Sequence, residues 1–393
     1  MEAILQQQAF QPSGLNNQFF LKTPATFAEY IQQTKSLIRQ SRINAQLSHD
    51  DFTIEANSPF QYIPKPTTHK IKNGIIFIHG FMDSPFSFYD LSHDLVKEGY
   101  LVRSILLPGH GTCPGDLLNI RLESWIEAAE YGISSLKNDV ENIYIAGLSS
   151  GASLALYHAL ANVTLNIKGL LLFAPSLRLR NPLSFTSQWL KYFGHLHQRA
   201  SWYQIANVNN KTRYECCPFN GVHQAYRLTR RLKKQRKKYS HLNYPIFMII
   251  TDSDETVSYK HNIRYFHEQR HPKSQLLVYS ASKFSYPYHD KRVEIRSSYY
   301  PTNNILDFSH ICLQVSPKNP YYCADGEYEP TYYYPNNLAS KETPEHIKNH
   351  RVYQGALNKH NLQYYPLTRL TYNPDYDHLL QRAIHFIQHT SKN

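Results

Sequence analysis

Between residues 75 and 175, short apolar runs alternate with stretches whose apolar residues recur at helical spacing. IIFIH (75–79), LVRSILL (101–107), NIYIAG (142–147) and KGLLLFAP (168–175) read as buried strands. Residues 88–96 (before Gly99), 122–136 and 152–161 read as helices. A strand that is apolar throughout needs cover on both faces. The alternation therefore specifies a mostly parallel central sheet with helices on both sides. It stops at 176–242, among aromatic and basic helical segments, and resumes with YPIFMIITD (244–252), a helix over 258–269 and QLLVYS (275–280). An interruption of that kind is what an inserted helical cap between two strands of one sheet looks like.

The predicted organisation has four parts. Residues 1–50 are a polar, glutamine-rich extension with a helical pattern around Phe27, Tyr30, Ile31, Leu37 and Ile38; residues 51–175 are the first part of the core. Residues 176–242 are the cap, and 243–393 are the second part of the core, with a Tyr-rich insertion at about 281–370. In the last part NNILDF (303–308) looks like a strand. The tract 321–337 reads as a loop packed over the sheet edge, with a role in lining the cleft as the alternative, and a final helix carries Leu379, Leu380, Ile384 and Ile387 on one face.

Composition removes several classes. With 41% hydrophobic residues the chain can bury a sizeable core, which excludes wholesale disorder. No apolar run approaches the ~20 residues of a membrane-spanning helix. The start, MEAILQQQAF, lacks the basic and apolar regions of a signal peptide. Five cysteines without a C-x-x-C pair read as reduced thiols, so a cytoplasmic location is expected. No motif calls for a metal or a cofactor. The net charge is +12, but two thirds of it sits in RLTRRLKKQRKK (227–238). That segment reads as a solvated helix face or as a peripheral contact with anionic membrane. No recognised module supports nucleic-acid binding.

Chemistry is carried first by Gly147-Leu148-Ser149-Ser150-Gly151, placed between a strand and a helix. A G-x-S-x-G at that junction is a nucleophile elbow: both flanks need glycine, because side chains there would collide with the strand and helix. The turn projects the Ser149 hydroxyl above the carboxyl ends of the strands. His79-Gly80-Phe81, ending the first strand, forms a second turn. The backbone N–H groups of Phe81 and Ser150 are the candidate oxyanion hole, while the His79 side chain reads as a structural group that holds the loop.

Four segments, IIFIHGFMDSPFSF (75–88), LLPGHGTCPGDL (106–117), IAGLSSGASLAL (145–156) and YPIFMIITDSDETV (244–257), make the chain resemble the α/β-hydrolase superfamily. Within it the resemblance is to the monoacylglycerol lipase and bacterial carboxylesterase branch, also grouped with serine aminopeptidases. It covers about 75–280 and implies an α/β-hydrolase fold with a cap and a Ser, acid, His triad in that chain order. The family's G-x-x-D-x-x-V after the strand implies Asp254 as the acid. Thr251 stands in place of the glycine and leaves Asp252 as a second candidate. No histidine follows QLLVYS closely. His310 in ILDFSHICL resembles the family's small-residue-His turn, an insertion explaining its delay, and His289 in SYPYHDKR is the alternative.

The expected function is a serine carboxylester hydrolase acting on monoacylglycerols, lysophospholipids or short- to medium-chain esters, active as a base histidine loses its proton near pH ~6–7. Cap aromatics, among them Trp189, Tyr192, Phe193, Trp202, Tyr203 and Phe219, would either line an acyl site or pack the cap itself. A peptidase or thioesterase would use the same triad. The displaced histidine leaves room for a silent binding protein on the same fold.

Overall fold

Ile75, Ile76, Phe77 and Ile78 are all fully buried, and as neighbours in one strand they point to alternate faces. Ile76 and Ile78 pack into one apolar layer with Trp125, Ile145, Leu170 and Met248. Ile75 and Phe77 pack into another with Tyr144, Phe173, Phe247 and Phe386. The central sheet thus has a core on each face, as a run without polar alternation requires.

The computed structural model describes residues 6–15, 26–65, 70–161, 165–180, 201–206, 208–239, 242–282, 289–335 and 351–391. In chain order the main-sheet strands are β1 (Phe60–Tyr62), β2 (Ile71–Ile78), β3 (Leu101–Ile105), β4 (Val140–Leu148) and β5 (Ile167–Phe173). A two-stranded hairpin follows, β6 (Trp202–Gln204) with β7 (Cys217–Pro218), and then β8 (Ile246–Thr251), β9 (Gln275–Ser280) and β10 (Val293–Ser297). A separate small sheet contains β11 (Tyr332–Tyr333), β12 (Tyr353–Gly355) and β13 (Leu367–Arg369). The helices are α1 (Phe27–Asn44), α2 (Asp51–Asn57), α3 (Tyr89–Lys97), α4 (Leu122–Ser135), α5 (Ser150–Ala161), α6 (Phe219–Lys238), α7 (Tyr259–Glu268), α8 (Lys359–Tyr364) and α9 (Tyr376–Ser391).

The main sheet runs β1-β3-β2-β4-β5-β8-β9-β10 and is parallel except for β1, which pairs antiparallel with β3 at the edge. The chain moves outward from β2 to β3 and then crosses back to β4 on the other side of β2. Adjacent loops therefore diverge above the carboxyl ends of β2 and β4, where an open α/β sheet offers a crevice. This is the α/β-hydrolase architecture expected from the sequence.

Around residue 100 the N-terminal helix is part of the packing. Thr26 caps α1 by accepting the Glu29 N–H at 3.1 Å. The Tyr30 hydroxyl accepts the Leu106 N–H at 3.1 Å and donates to the Leu106 carbonyl at 3.3 Å. Arg42, almost wholly buried, donates to the carbonyls of Ser48 and Gly111.

Two readings need correction. NNILDF is not a strand. Asn304 has φ 58, left-handed backbone that asparagine tolerates, and Ile305 pairs only through isolated bridges to Tyr300 and Gln354. The strand preceding His310 is β10, whose alternating VEIRS is half-buried and carries its signal among charges. The tyrosine tract does more than cover an edge: Tyr321 and Tyr322 are buried in the core. Trp189, Leu190, Tyr192 and Phe193 lie outside the described residues. Trp202 is fully buried against Phe10, ring centroids 4.8 Å apart. The basic segment occupies the C-terminal part of α6, where Leu228 and Leu232 face the core.

Candidate active site

β4 ends at Leu148 and α5 begins at Ser150, so the turn between them is the single residue Ser149. Its φ is 54, in the left-handed region. The Ser149 N–H donates to the Phe173 carbonyl at 2.9 Å, and its own carbonyl accepts from Ser153 and Ser176, each at 3.1 Å. The glycine requirement is visible in the geometry. A Cβ on Gly151 would lie 2.0 Å from the Ile78 carbonyl oxygen, and one on Gly147 would lie 2.5 Å from the Ala152 nitrogen. Ser150 opens α5, where the first N–H groups of a helix have no intrahelical acceptor.

The facing loop is set by two buried histidines. His79 accepts the Leu107 N–H on Nε2 at 3.0 Å and donates from Nδ1 to the Gly80 carbonyl at 2.8 Å. His110, from the P-G-H-G turn, accepts the Met82 N–H on Nε2 at 3.0 Å. Burial lowers His110 to about 4, which keeps the ring neutral with Nδ1–H directed at the Leu107 and Pro108 carbonyls. Burial pushes His79 down as well. Met82 has φ 67, and its carbonyl accepts from Tyr214 at 2.8 Å. With Met82 committed, the Phe81 N–H is the loop donor to which no described residue offers an acceptor.

His310 Nδ1 lies 2.7 Å from Asp254 Oδ2. The other oxygen, Oδ1, accepts the Thr256 and Val257 N–H groups, both at 2.8 Å. Asp254 is 1% exposed and has its lone pairs aimed by the loop after β8. With Nδ1–H donating to the carboxylate, Nε2 carries the free lone pair. Asp252 instead accepts the Ser280 hydroxyl at 2.5 Å, and His289 is exposed. The histidine's delay along the chain is therefore not a displacement in space.

Ser149, Ser150, Phe81 and His310 line one cavity of about 720 Å³. Apolar lining comes from Leu148, Ile205, Val222, Ala225 and Ile311; polar lining includes Arg213, Glu255, Tyr328, Tyr333 and Arg369. Among the described cap aromatics Tyr203 and Tyr214 belong to this wall, and Phe219 packs on Tyr203 at 5.8 Å. Burial opposes the charge on Arg213, but Tyr322, Tyr328, Asp83 and Glu215 together raise it above its ordinary value. Glu255, Arg213 and Arg369 went unread in the sequence. Glu255 sits in the TDSDETV stretch and had a positional signal; Arg369 had none. Among the described residues no group of three or more His, Cys, Asp or Glu side chains could hold a metal ion.

The family model described as serine aminopeptidase, S33, matches residues 69–283, more than half of the 393 residues. Residues of this chain are 36% identical over an 86-residue stretch to a thermostable monoacylglycerol lipase of Bacillus sp. (strain H-257). That stretch is 22% of this chain, and the chain spans about a third (34%) of the relative it matches. Among solved structures, a metagenome-derived lipolytic enzyme is similar with a TM-score of 0.48 and 18% identity, covering 57% of this chain and 87% of that one. A monoacylglycerol lipase of Paleococcus ferrophilus is similar with a TM-score of 0.45 and 15% identity, covering 56% and 88%.

Proposed function

The chain belongs to the serine aminopeptidase S33 family of α/β-hydrolases, and from that premise we propose that it is a serine carboxylester hydrolase. The observation that carries the reading is the seating of the His310 imidazole on Asp254 in the cavity that holds Ser149. In this mechanism His310 Nε2 takes the Ser149 proton as the hydroxyl oxygen attacks the acyl carbon. The Phe81 and Ser150 N–H groups receive the developing oxyanion. Asp254 holds the imidazole in the Nδ1–H tautomer and stabilises its charged form. The tetrahedral intermediate collapses, the ester C–O bond breaks, and His310 returns its proton to the departing alkoxide. Water, deprotonated by the same base, then cleaves the acyl-enzyme and restores Ser149.

The apolar lining suits an acyl chain, and monoacylglycerols, lysophospholipids and short- to medium-chain esters are the proposed substrates. We read residues 176–242, inserted between β5 and β8, as the cap, described over 176–180, 201–206, 208–239 and 242. A peptidase or thioesterase would use the same groups, and a panel of p-nitrophenyl esters, acyl-thioesters and aminoacyl-anilides separates them. The test of the reading itself is hydrolysis of p-nitrophenyl butyrate by the wild type and Ser149→Ala, with fluorophosphonate labelling alongside. Turnover and labelling that both depend on Ser149 support it; a wild type that neither turns over nor labels overturns it.

Peripheral contact with anionic membrane through 227–238 belongs to this proposal. Arg227 and Arg231 reach Glu123, and Arg236 reaches Glu268, whereas Arg230, Lys233, Lys234, Lys237 and Lys238 are exposed. Near a charged surface each is worth about 1 kcal/mol. Vesicles of rising anionic content decide it, and binding indifferent to lipid charge and salt would end the idea. No helix among the described residues is long and apolar enough to cross a membrane. The five unbridged thiols fit a reducing compartment, and we place the protein in the cytoplasm on that ground.

A further inference from the structure

We infer that Glu255 and Arg369 form a positioning pair that fastens the main chain of His310 to the small sheet inserted in the C-terminal third. The inference rests on the triad reading above and extends it to groups that do not react.

Glu255 Oε2 accepts the His310 N–H at 3.1 Å, and its Oε1 accepts from Arg369 Nη2 at 2.5 Å. Two successive acids thus divide the histidine: Asp254 takes the ring and Glu255 takes the main chain. Arg369 ends β13, the middle strand of the small sheet β11-β13-β12. The same sheet grips the base loop elsewhere. Leu306 N–H donates to the Gln354 carbonyl, and Gln354 N–H to the Asn304 carbonyl, each at 2.9 Å. The Ser309 hydroxyl donates to the Leu370 carbonyl at 2.6 Å, and Asp307 accepts the Ala356 N–H at 2.7 Å. With no ordinary strand running into it, the base loop takes its rigidity from the insertion.

Charge makes the pair more than a tie. The Glu255 and Arg369 side chains are only 11% and 24% exposed, so they lie close to the base in a weakly screened setting. The charged groups around His310 are Asp254 and Glu255 from the loop after β8, Arg369 from β13, Asp307 in the base's own loop, Arg180, whose guanidinium donates to the Asp254 carbonyl, and Arg213 in the wall of the same cavity. Arg369 offsets the Glu255 carboxylate, so removing either one leaves its partner's charge unbalanced beside the imidazole.

The test compares Glu255→Gln, Arg369→Met, Arg369→Lys and the double variant Glu255→Gln/Arg369→Met on p-nitrophenyl butyrate across pH 5–9. Each charge-removing single variant is expected to lose about tenfold in kcat with KM within about twofold, because the imidazole is aimed less well. The acid limb of kcat/KM moves to lower pH in Glu255→Gln, where an unbalanced arginine faces the base, and to higher pH in Arg369→Met, where an unbalanced carboxylate does. Shifts of about half a unit to one unit are expected, in opposite directions. The double variant returns the limb to its wild-type place, and Arg369→Lys recovers most of kcat. If Arg369→Met does not fold, Glu255→Gln and Arg369→Lys carry the comparison. Limbs that stay put, or KM rising at constant kcat because Arg369 touches the substrate, overturn the pair while Ser149-dependent turnover leaves the triad reading intact. A wild type without turnover removes both.

Discussion

His110 Nε2 accepts the main-chain N–H of Met82 at 3.0 Å, a contact between residues 28 positions apart that fixes the backbone beside Ser149. The histidine of the P-G-H-G turn is thereby a strut for the loop proposed to hold the oxyanion. His110→Ala orphans the Met82 N–H and lets the loop turn its Phe81 donor away. Losing one oxyanion donor outright costs ~10²–10³ in rate, so a misaimed one is expected to cost ~10–100-fold in kcat with little change in KM. Steady-state kinetics on p-nitrophenyl butyrate check this, and unchanged kcat would detach His110 from the site.

The two candidate acids and the two candidate bases separate cleanly by substitution. Asp254→Asn is expected to lower kcat by about 10⁴, since the imidazole is no longer held in the working tautomer. His310→Ala is expected to lose as much, while Asp252→Asn and His289→Ala retain turnover within about threefold of wild type, a local surface or loop change. Reversal within either pair would reassign the triad.

Gly151→Ala tests the elbow as a packing problem. Its methyl would meet the Ile78 carbonyl at 2.0 Å, and backbone atoms of β2 cannot yield as a side-chain tip would. A loss of about 3 kcal/mol or more, or failure to fold, is expected. Thermal melting of the purified variant reads it; a wild-type Tm would show that β2 and α5 can separate.

Asp90 gives a pH signature. Its carboxylate accepts the Ser316 N–H at 2.8 Å and the Asn319 amide at 2.9 Å, and burial pushes it up to about 6 from 3.8. The folded state therefore holds this proton more tightly than the unfolded chain, and between pH ~4 and ~6 the stability contribution falls as pH rises. Asp90→Asn keeps the acceptor oxygen and carries no charge. It is expected to flatten that slope and to gain on the order of 1–2 kcal/mol relative to wild type on going from pH 4 to pH 7, after discounting for the side chain's partial exposure. Chemical denaturation at both pH values measures the difference.

What could be read in advance follows from how local each signal is. β2, β4, β5, β8 and β9 are buried on both faces over most of their length, so each carries a continuous apolar run. Ser149 was legible because its elbow needs only neighbours in sequence: two glycines, a strand and a helix. β1 and β10 lie at the two edges of the sheet and are half-exposed, which lets charged and polar residues into them and erases the run. NNILDF misled because hydrophobic residues that plug a core from a loop look like a strand. The Glu255–Arg369 pair joins residues 114 positions apart and leaves no periodic trace.

The N-terminal helix offers a consequence for how this protein can be cut and recombined. Tyr30 satisfies both backbone groups of Leu106, and Arg42 holds the Gly111 carbonyl, so α1 grips the segment carrying His110 at both of its ends. Trimming the chain to its hydrolase-like portion would strip those partners from a buried turn and leave its carbonyls without donors and the Leu106 N–H without an acceptor. The boundary of the smallest autonomous folding unit is therefore expected before residue 26, although the family's own signature begins more than forty residues later.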